Sequence, residues 1–376
     1  MNAPPFATPI TSHWLVSCLA AAIAIPMLAV VPSASAATTP AQPNPTTRPV
    51  IRTRAQVDAL IAEAGQTPPA WWDSVQLNYP PTLDLSWRKT PNWDNQRNVG
   101  QFIWDIVDPN PGRWKEGAKL VHHVLSVNKD NPEAINQAMQ SLSHMYAHLL
   151  EDYPRAAFWA RKHGRDPILL ADCYWKMGSK VMATEILSRI NGDPTRNCTI
   201  VKLWSDMGEL DKALRIAQQE ADRGRPVVAY LAAADACRKA GRYPQALAYY
   251  EKAVANDNNP RATDAKMNTE RARAGIEAIK VFDSLNLARI PDGQYKASSY
   301  AFTGPLEVTV TVKSGRIEAV RVTKHTEKQF YSSITDTTGQ IIRKQSLKGV
   351  DATSGATVTS EAIIQATGKA LASGMK

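Results

Sequence analysis

Asp351-Ala352-Thr353-Ser354-Gly355-Ala356-Thr357 is followed by Val358-Thr359-Ser360-Glu361, after which Ala362, Ile363, Ala366, Ala370 and Leu371 recur at helical spacing. A turn of small residues therefore leads into a helix. The free N–H groups and dipole at its start favour an anion. Gly355 and Ala356 carry almost no side chain, so a bulky group can approach the backbone closely. Thr357 offers a hydroxyl at that point, a weak nucleophile unless a base assists it, and Asp351 could supply that help. The same letters also read as an ordinary helix cap, since Ser, Thr and Asp are the usual capping residues.

Upstream, Asp292-Gly293-Gln294-Tyr295 opens a polar and aromatic strand, and Tyr300 to Pro305 forms a loop containing Gly304. Leu306, Val308, Val310 and Val312 then alternate with Glu307, Thr309 and Thr311, the pattern of a half-buried strand. Ser314-Gly315 supplies a hairpin turn, and Ile317 to Val322 a return strand ending at Lys324-His325-Thr326-Glu327.

Over residues 288 to 376 this order (D-G-x-Y, a valine-rich hairpin, H-x-E, D-x-x-S-G-A-T, a final helix) resembles the FMN-binding domain family, as in the C subunit of sodium-pumping NADH:quinone oxidoreductase. The resemblance implies a small α+β domain with the flavin ring in a cleft beside the sheet. It also implies FMN esterified through its phosphate to Thr357 by a separate flavin transferase that takes FMN from FAD. Asp351, Thr353, Ser354, Gly355, Ala356 and Thr357 match the attachment motif, and Thr359 follows on the next turn. Gly304, His325 and Glu327 match positions near the flavin loosely. His325 is read either as a hydrogen-bond donor that tunes the ring or as a solvated residue at a strand end. Tyr331 to Lys348 departs from the family in being polar and short, so no ring contact is carried over there.

The other end of the chain bears on location. Residues 14 to 31 are apolar and Ala34-Ser35-Ala36 supplies small residues for cleavage, which predicts a signal peptide over 1–36 and a periplasmic or otherwise exported protein. The region before the apolar run has neither Lys nor Arg, which leaves an N-terminal membrane anchor as the alternative, although Pro26 favours cleavage. Cys18 lies too early in the apolar run to be a lipid attachment site. Cys173, Cys198 and Cys237 allow at most one disulfide, and no C-x-x-C or haem motif occurs. Cys173 and Cys237 fall on apolar helix faces, where a small buried thiol is expected.

Residues 37–97 read as a Pro- and Trp-rich linker and cap. Beyond it, Gly241-Arg242-Tyr243-Pro244-Gln245-Ala246-Leu247 resembles the second half of a tetratricopeptide repeat. Gly208 to Leu214 repeats it, and Gly178 leads in the same way to Ala183 and Leu187. Weaker units precede these around Tyr153 and Trp114. A period near 34 residues predicts stacked helical hairpins over 98–285, followed by the FMN-binding domain over 286–376, for an α+β chain overall. Tryptophans 71, 72, 87, 93 and 104 are placed to cap the first hairpin.

The 376 residues are 44% hydrophobic, and the net charge of +9 is spread rather than blocked, so nucleic-acid binding is a poor explanation. Such a surface can instead steer an acidic redox partner or an anionic lipid, or simply be soluble. Neither catalytic nor metal-ligating residues are expected. The reading is an exported electron carrier rather than a stand-alone enzyme: FMN sits on Thr357 while the repeats dock a redox partner, a membrane reductase or a cytochrome. Two alternatives are a flavin-dependent reductase of a small molecule, for which no G-x-G-x-x-G nicotinamide motif is found, and a scaffold whose terminal domain is structural.

Overall fold

The computed structural model describes residues 50–88, 92–190, 197–257, 263–282, 284–327, 332–353 and 356–375. The signal peptide or anchor reading, its Ala34-Ser35-Ala36 site, Cys18, Ser354 and Gly355 lie outside these residues, as does the Cys198 side chain. The protein is mostly helical, with a small antiparallel sheet towards the C-terminus, consistent with an α+β class. No helix among the described residues is long and apolar enough to cross a membrane.

The first helix, α1 (Arg54–Gln66), starts at a capping box between Thr53 and Gln56 and packs on a later helix. A short α2 (Val99–Phe102) runs through a π-helical turn, Ile103–Val107, towards α3 (Trp114–Val127). The Trp-rich segment lies against α3: Lys119 Nζ donates to the carbonyls of Trp72 and Val75 at 2.8 and 2.6 Å, and Asn128 Nδ2 donates to that of Leu85 at 2.8 Å.

Consecutive helices then pack in pairs: α4 (Pro132–His144) with α5 (Tyr153–His163), α6 (Pro167–Lys176) with α7 (Lys180–Arg189), α8 (Asn197–Asp206) with α9 (Leu210–Asp222), and α10 (Pro226–Lys239) with α11 (Tyr243–Ala255). Three of these hairpins turn on one device. Gly178, Gly208 and Gly241 have φ of 90°, 80° and 73°, the left-handed conformation that glycine adopts without strain. At each, the glycine N–H bonds the carbonyl three residues back, and the next N–H bonds the carbonyl four residues before the glycine. Five residues further on stand Ala183, Ala213 and Ala246, all fully buried where the paired helices meet. Cys173 and Cys237 are buried free thiols on these helices.

The long α12 (Thr263–Phe282) closes the stack and leads to β1 (Gly293–Tyr300), β2 (Pro305–Lys313) and β3 (Arg316–Lys324), antiparallel in the order β1-β2-β3. Ser314 and Gly315 both have positive φ, 50° and 68°, as a two-residue hairpin turn requires, and Asp292 Oδ1 accepts the Ser314 N–H at 2.6 Å. Leu306, Val308, Val310 and Val312 turn inward, at most 1% exposed. Across them lies α14 (Thr357–Gly374), with α12 on its other side. Twelve of its eighteen residues are buried, so it is a central helix rather than a surface one. Gln365 ties the layers together, donating to the Arg271 carbonyl of α12 at 3.2 Å and accepting from Ser299 Oγ of β1 at 2.8 Å.

Within the polar stretch 331–348 the chain forms α13 (Ser332–Lys344), which packs on β3 and α14. Its inward face is built from Ser333, Thr337 and Ile341, all fully buried, rather than from a run of apolar residues.

Candidate functional site

The D-x-x-S-G-A-T segment enters α14 at Thr357. The residue at the N-cap position is Ala356, whose side chain has nothing to accept with, and no side-chain hydrogen bond caps the helix. Among the described residues, no side chain caps the first amides of this 18-residue helix. That is the backbone arrangement that receives a phosphate.

Fixed polar contacts hold the segment. Gln340 of α13 pairs with the Asp351 backbone in both directions, its Oε1 accepting the N–H at 2.9 Å and its Nε2 donating to the carbonyl at 3.1 Å. Thr353 donates through Oγ1 to Asp336 Oδ2 at 2.9 Å and through its N–H to Ser360 Oγ at 3.0 Å. Thr359 Oγ1 donates to Glu327 Oε2 at 2.7 Å. The other oxygen of Glu327, Oε1, accepts from the N–H and Oγ1 of Thr303 at 2.8 and 2.9 Å. Glu327 is 4% exposed, so its carboxylate fastens the loop before β2 to the first turn of α14. Gly304 in that loop has φ 154°, and a Cβ there would come within 3.0 Å of Thr326 Oγ1.

Thr357 opens onto a cavity of about 220 Å³. Phe302, Ala352, Ala356 and Val358 give it an apolar side on the C-terminal domain. The facing side belongs to the helical hairpins, with Lys202 and Asp206 of α8, Leu231, Ala232 and Asp235 of α10, and Arg271 of α12. Gly304, Thr353, His325 and Glu327 are not among the described residues that line it; His325 sits half-buried just beyond β3.

Two lysines of the hairpins grip Asp351. Lys239 Nζ is 2.8 Å from Asp351 Oδ2 and 2.5 Å from Asp206 Oδ1, while Lys202 Nζ is 3.8 Å from Asp351 Oδ1 and 2.5 Å from Asp206 Oδ2. Burial acts to raise the Asp351 carboxyl, but Lys202, Lys239 and Lys176 outweigh it and hold it below the usual carboxylate range. Lys202 likewise resists burial, kept above the ordinary lysine value by Asp206 and Asp351. Next to this cluster, Arg238 Nη1 donates to the Val350 carbonyl at 3.1 Å and Nη2 to Glu361 Oε1, so the motif is held from both flanks by one guanidinium. Burial pushes Glu361 up to about 7 against the pull of Arg238.

These residues fit an anionic, aromatic cofactor. Arg238 and Arg271 line the cavity, and each retains a buried Nε–H donor with no acceptor among the described residues. A flavin carries the oxygen acceptors such donors lack. The apolar side around Phe302 and Ala352 suits a planar ring, and the bare start of α14 suits a phosphate. Lys202, Lys239, Arg238 and Arg271 stand 80 or more residues before the motif, and none belongs to a motif of its own; only their recurrence on the alternate helices α8, α10 and α12 marks them.

Residues 302–372 match the FMN-binding domain family, so the chain carries an FMN-binding domain at its C-terminal end, consistent with a flavin-binding, electron-transfer role. A protein of Treponema pallidum (strain Nichols), described only as an uncharacterized protein, is 43% identical over 86 residues, which is 22% of this chain and 24% of that protein. The chain therefore aligns with about a quarter of that relative's length. No solved structure matches.

Proposed function

We infer that this protein is an exported electron carrier holding FMN covalently on Thr357. The observation that carries this reading is the start of α14: Thr357 is its first residue, no side chain among the described residues caps it, and it opens onto a cavity whose lining includes Arg271 and three cations paired with carboxylates, Lys202, Lys239 and Arg238. When bound, a flavin can exchange one or two electrons, which joins two-electron donors to one-electron acceptors.

In maturation, the Oγ1–P bond to FMN forms as the P–O bond of the FAD pyrophosphate breaks. AMP leaves with the electron pair of that bond, and the threonine proton passes to a base. Asp351 is a poor candidate for that base, because two lysines depress its pKa. Its role in this reading is to hold the motif in shape and present charge to the transferase. The helical hairpins dock the redox partner, a membrane reductase or a cytochrome, through faces that the C-terminal domain leaves open. Coexpression with a flavin transferase tests the reading: one flavin per chain should survive denaturing electrophoresis, and flavin-free protein would refute it.

A further inference from the structure

We propose that the helical hairpins are themselves one wall of the flavin seat, with Val228, Ala232 and Asp235 of α10 facing the ring and Lys202 and Lys239 facing the phosphate. The proposal rests on FMN being held at Thr357.

Charge is the first argument. Of the cavity-lining residues contributed by the C-terminal domain, the ionisable ones are Asp351 and Glu361, both acidic. A phosphoester anion beside these alone would meet like charge. Among the described residues, every cation lining the cavity comes from the helical region: Lys202, Arg238 and Lys239 of the hairpins and Arg271 of α12. Asp351 and Glu361 are each engaged by one of these cations or more. The helical side also brings Asp206 and Asp235 to the cavity, so what it supplies is not a net excess of charge but the cations that offset Asp351 and Glu361, leaving the phosphate to meet paired rather than bare carboxylates.

Shape is the second. Val228, Ala232, Asp235 and Lys239 succeed one another at four, three and four residues, a single stripe along α10. All four are half-buried while Ala229, Ala233, Ala234 and Cys237 beside them are buried, so this stripe is the one left open towards the cavity. Its two inner residues are Ala232 and Asp235, and the small side chain of Ala232 takes little of the cavity's space. Phe302, 57% exposed, stands at the domain's side of the same cavity.

The test uses the full chain coexpressed with a flavin transferase, comparing wild type, Ala232→Trp, Lys202→Met/Lys239→Met and Lys202→Arg/Lys239→Arg, each checked for fold by circular dichroism. Iodide quenching of native flavin fluorescence reads ring burial, and in-gel fluorescence reads the ester. A seated ring hides most of its surface, so filling the seat with Trp should raise quenching by about threefold or more while the ester persists. The Met pair should lose at least about half of the label and the Arg pair should restore it, because the lysines act as charges. Quenching unchanged in Ala232→Trp, with normal label in the Met pair, would overturn the wall but leave the Thr357 ester standing. If the wild type instead binds FMN reversibly, the ester falls, and loss of that binding in Ala232→Trp still supports the wall. A wild type that binds FMN in neither form overturns both.

Discussion

Arg238, at the end of α10, and Glu361, in the second turn of α14, form an ion pair across 123 residues of chain, each 2% exposed. Arg238 also bonds the Val350 carbonyl, so one side chain of the helical hairpins touches both sides of the attachment motif. Removing the guanidinium leaves a buried carboxyl without its cation. Arg238→Ala should therefore cost about 3–5 kcal/mol of stability, and Arg238→Met/Glu361→Gln distinctly less, because the double change leaves no lone charge inside. Urea denaturation of the three proteins checks this; equal losses in both variants would show that the orphaned carboxyl is not what costs stability.

Ala246 is fully buried where α11 meets α10, five residues after the Gly241 turn. A phenyl ring there has no space, so Ala246→Phe should cost about 1–3 kcal/mol through displaced helices. An unchanged melting temperature would mean that the packing of this pair is looser than its burial indicates.

What the sequence made legible follows the chemistry of each segment. Leu306 to Val312 alternate so regularly that β2 and its inward face are readable by eye, and Ser314-Gly315 announces the turn. Gly178, Gly208 and Gly241 are readable as punctuation because each must take positive φ. The helix α13 was hidden because its buried face uses Ser333, Thr337 and Thr338, whose hydroxyls are satisfied inside the fold: Thr337 Oγ1 donates to Ser360 Oγ of α14 at 3.0 Å, and Thr338 Oγ1 to the Ile334 carbonyl at 2.6 Å. Hydroxyl residues give no apolar period. The cations of the site were hidden for a different reason. Lys202 and Lys239 read as ordinary basic residues on helices, and nothing short of the fold brings them to Asp351.

His122 supplies a pH dependence. It is largely buried in α3, 3.0 Å from the Tyr146 hydroxyl and edge-on to Trp72 and Trp159, and burial, assisted by Arg155, lowers its pKa from 6.5 to about 4. The folded protein holds the ring neutral while the unfolded chain protonates it at higher pH. Its stabilising contribution is therefore complete above pH 6.5 and is lost as the pH falls towards 4. The loss amounts to as much as about 3 kcal/mol. Stability measured against His122→Asn should show that difference shrinking across the window, and a difference flat with pH would rule the assignment out.

Thr357 and Asp351 carry the decisive prediction, because they separate attachment from folding. Thr357 is half-buried at the first position of α14, and its hydroxyl caps nothing there, so Thr357→Ala should change stability by no more than about 0.5 kcal/mol. The same change removes the atom that would form the ester, so the denaturation-resistant flavin should vanish altogether. Thr357→Ser keeps the hydroxyl and should keep some label. Cys173→Ala and Cys237→Ala should keep all of it, since a phosphoester uses no thiol. Asp351→Asn tests the lysine grip: the amide retains the shape but not the charge that Lys202 and Lys239 hold, so label should fall while the backbone bonds to Gln340 stay in place. In-gel flavin fluorescence with intact mass gives each answer, and covalent flavin persisting on Thr357→Ala would move the attachment point elsewhere.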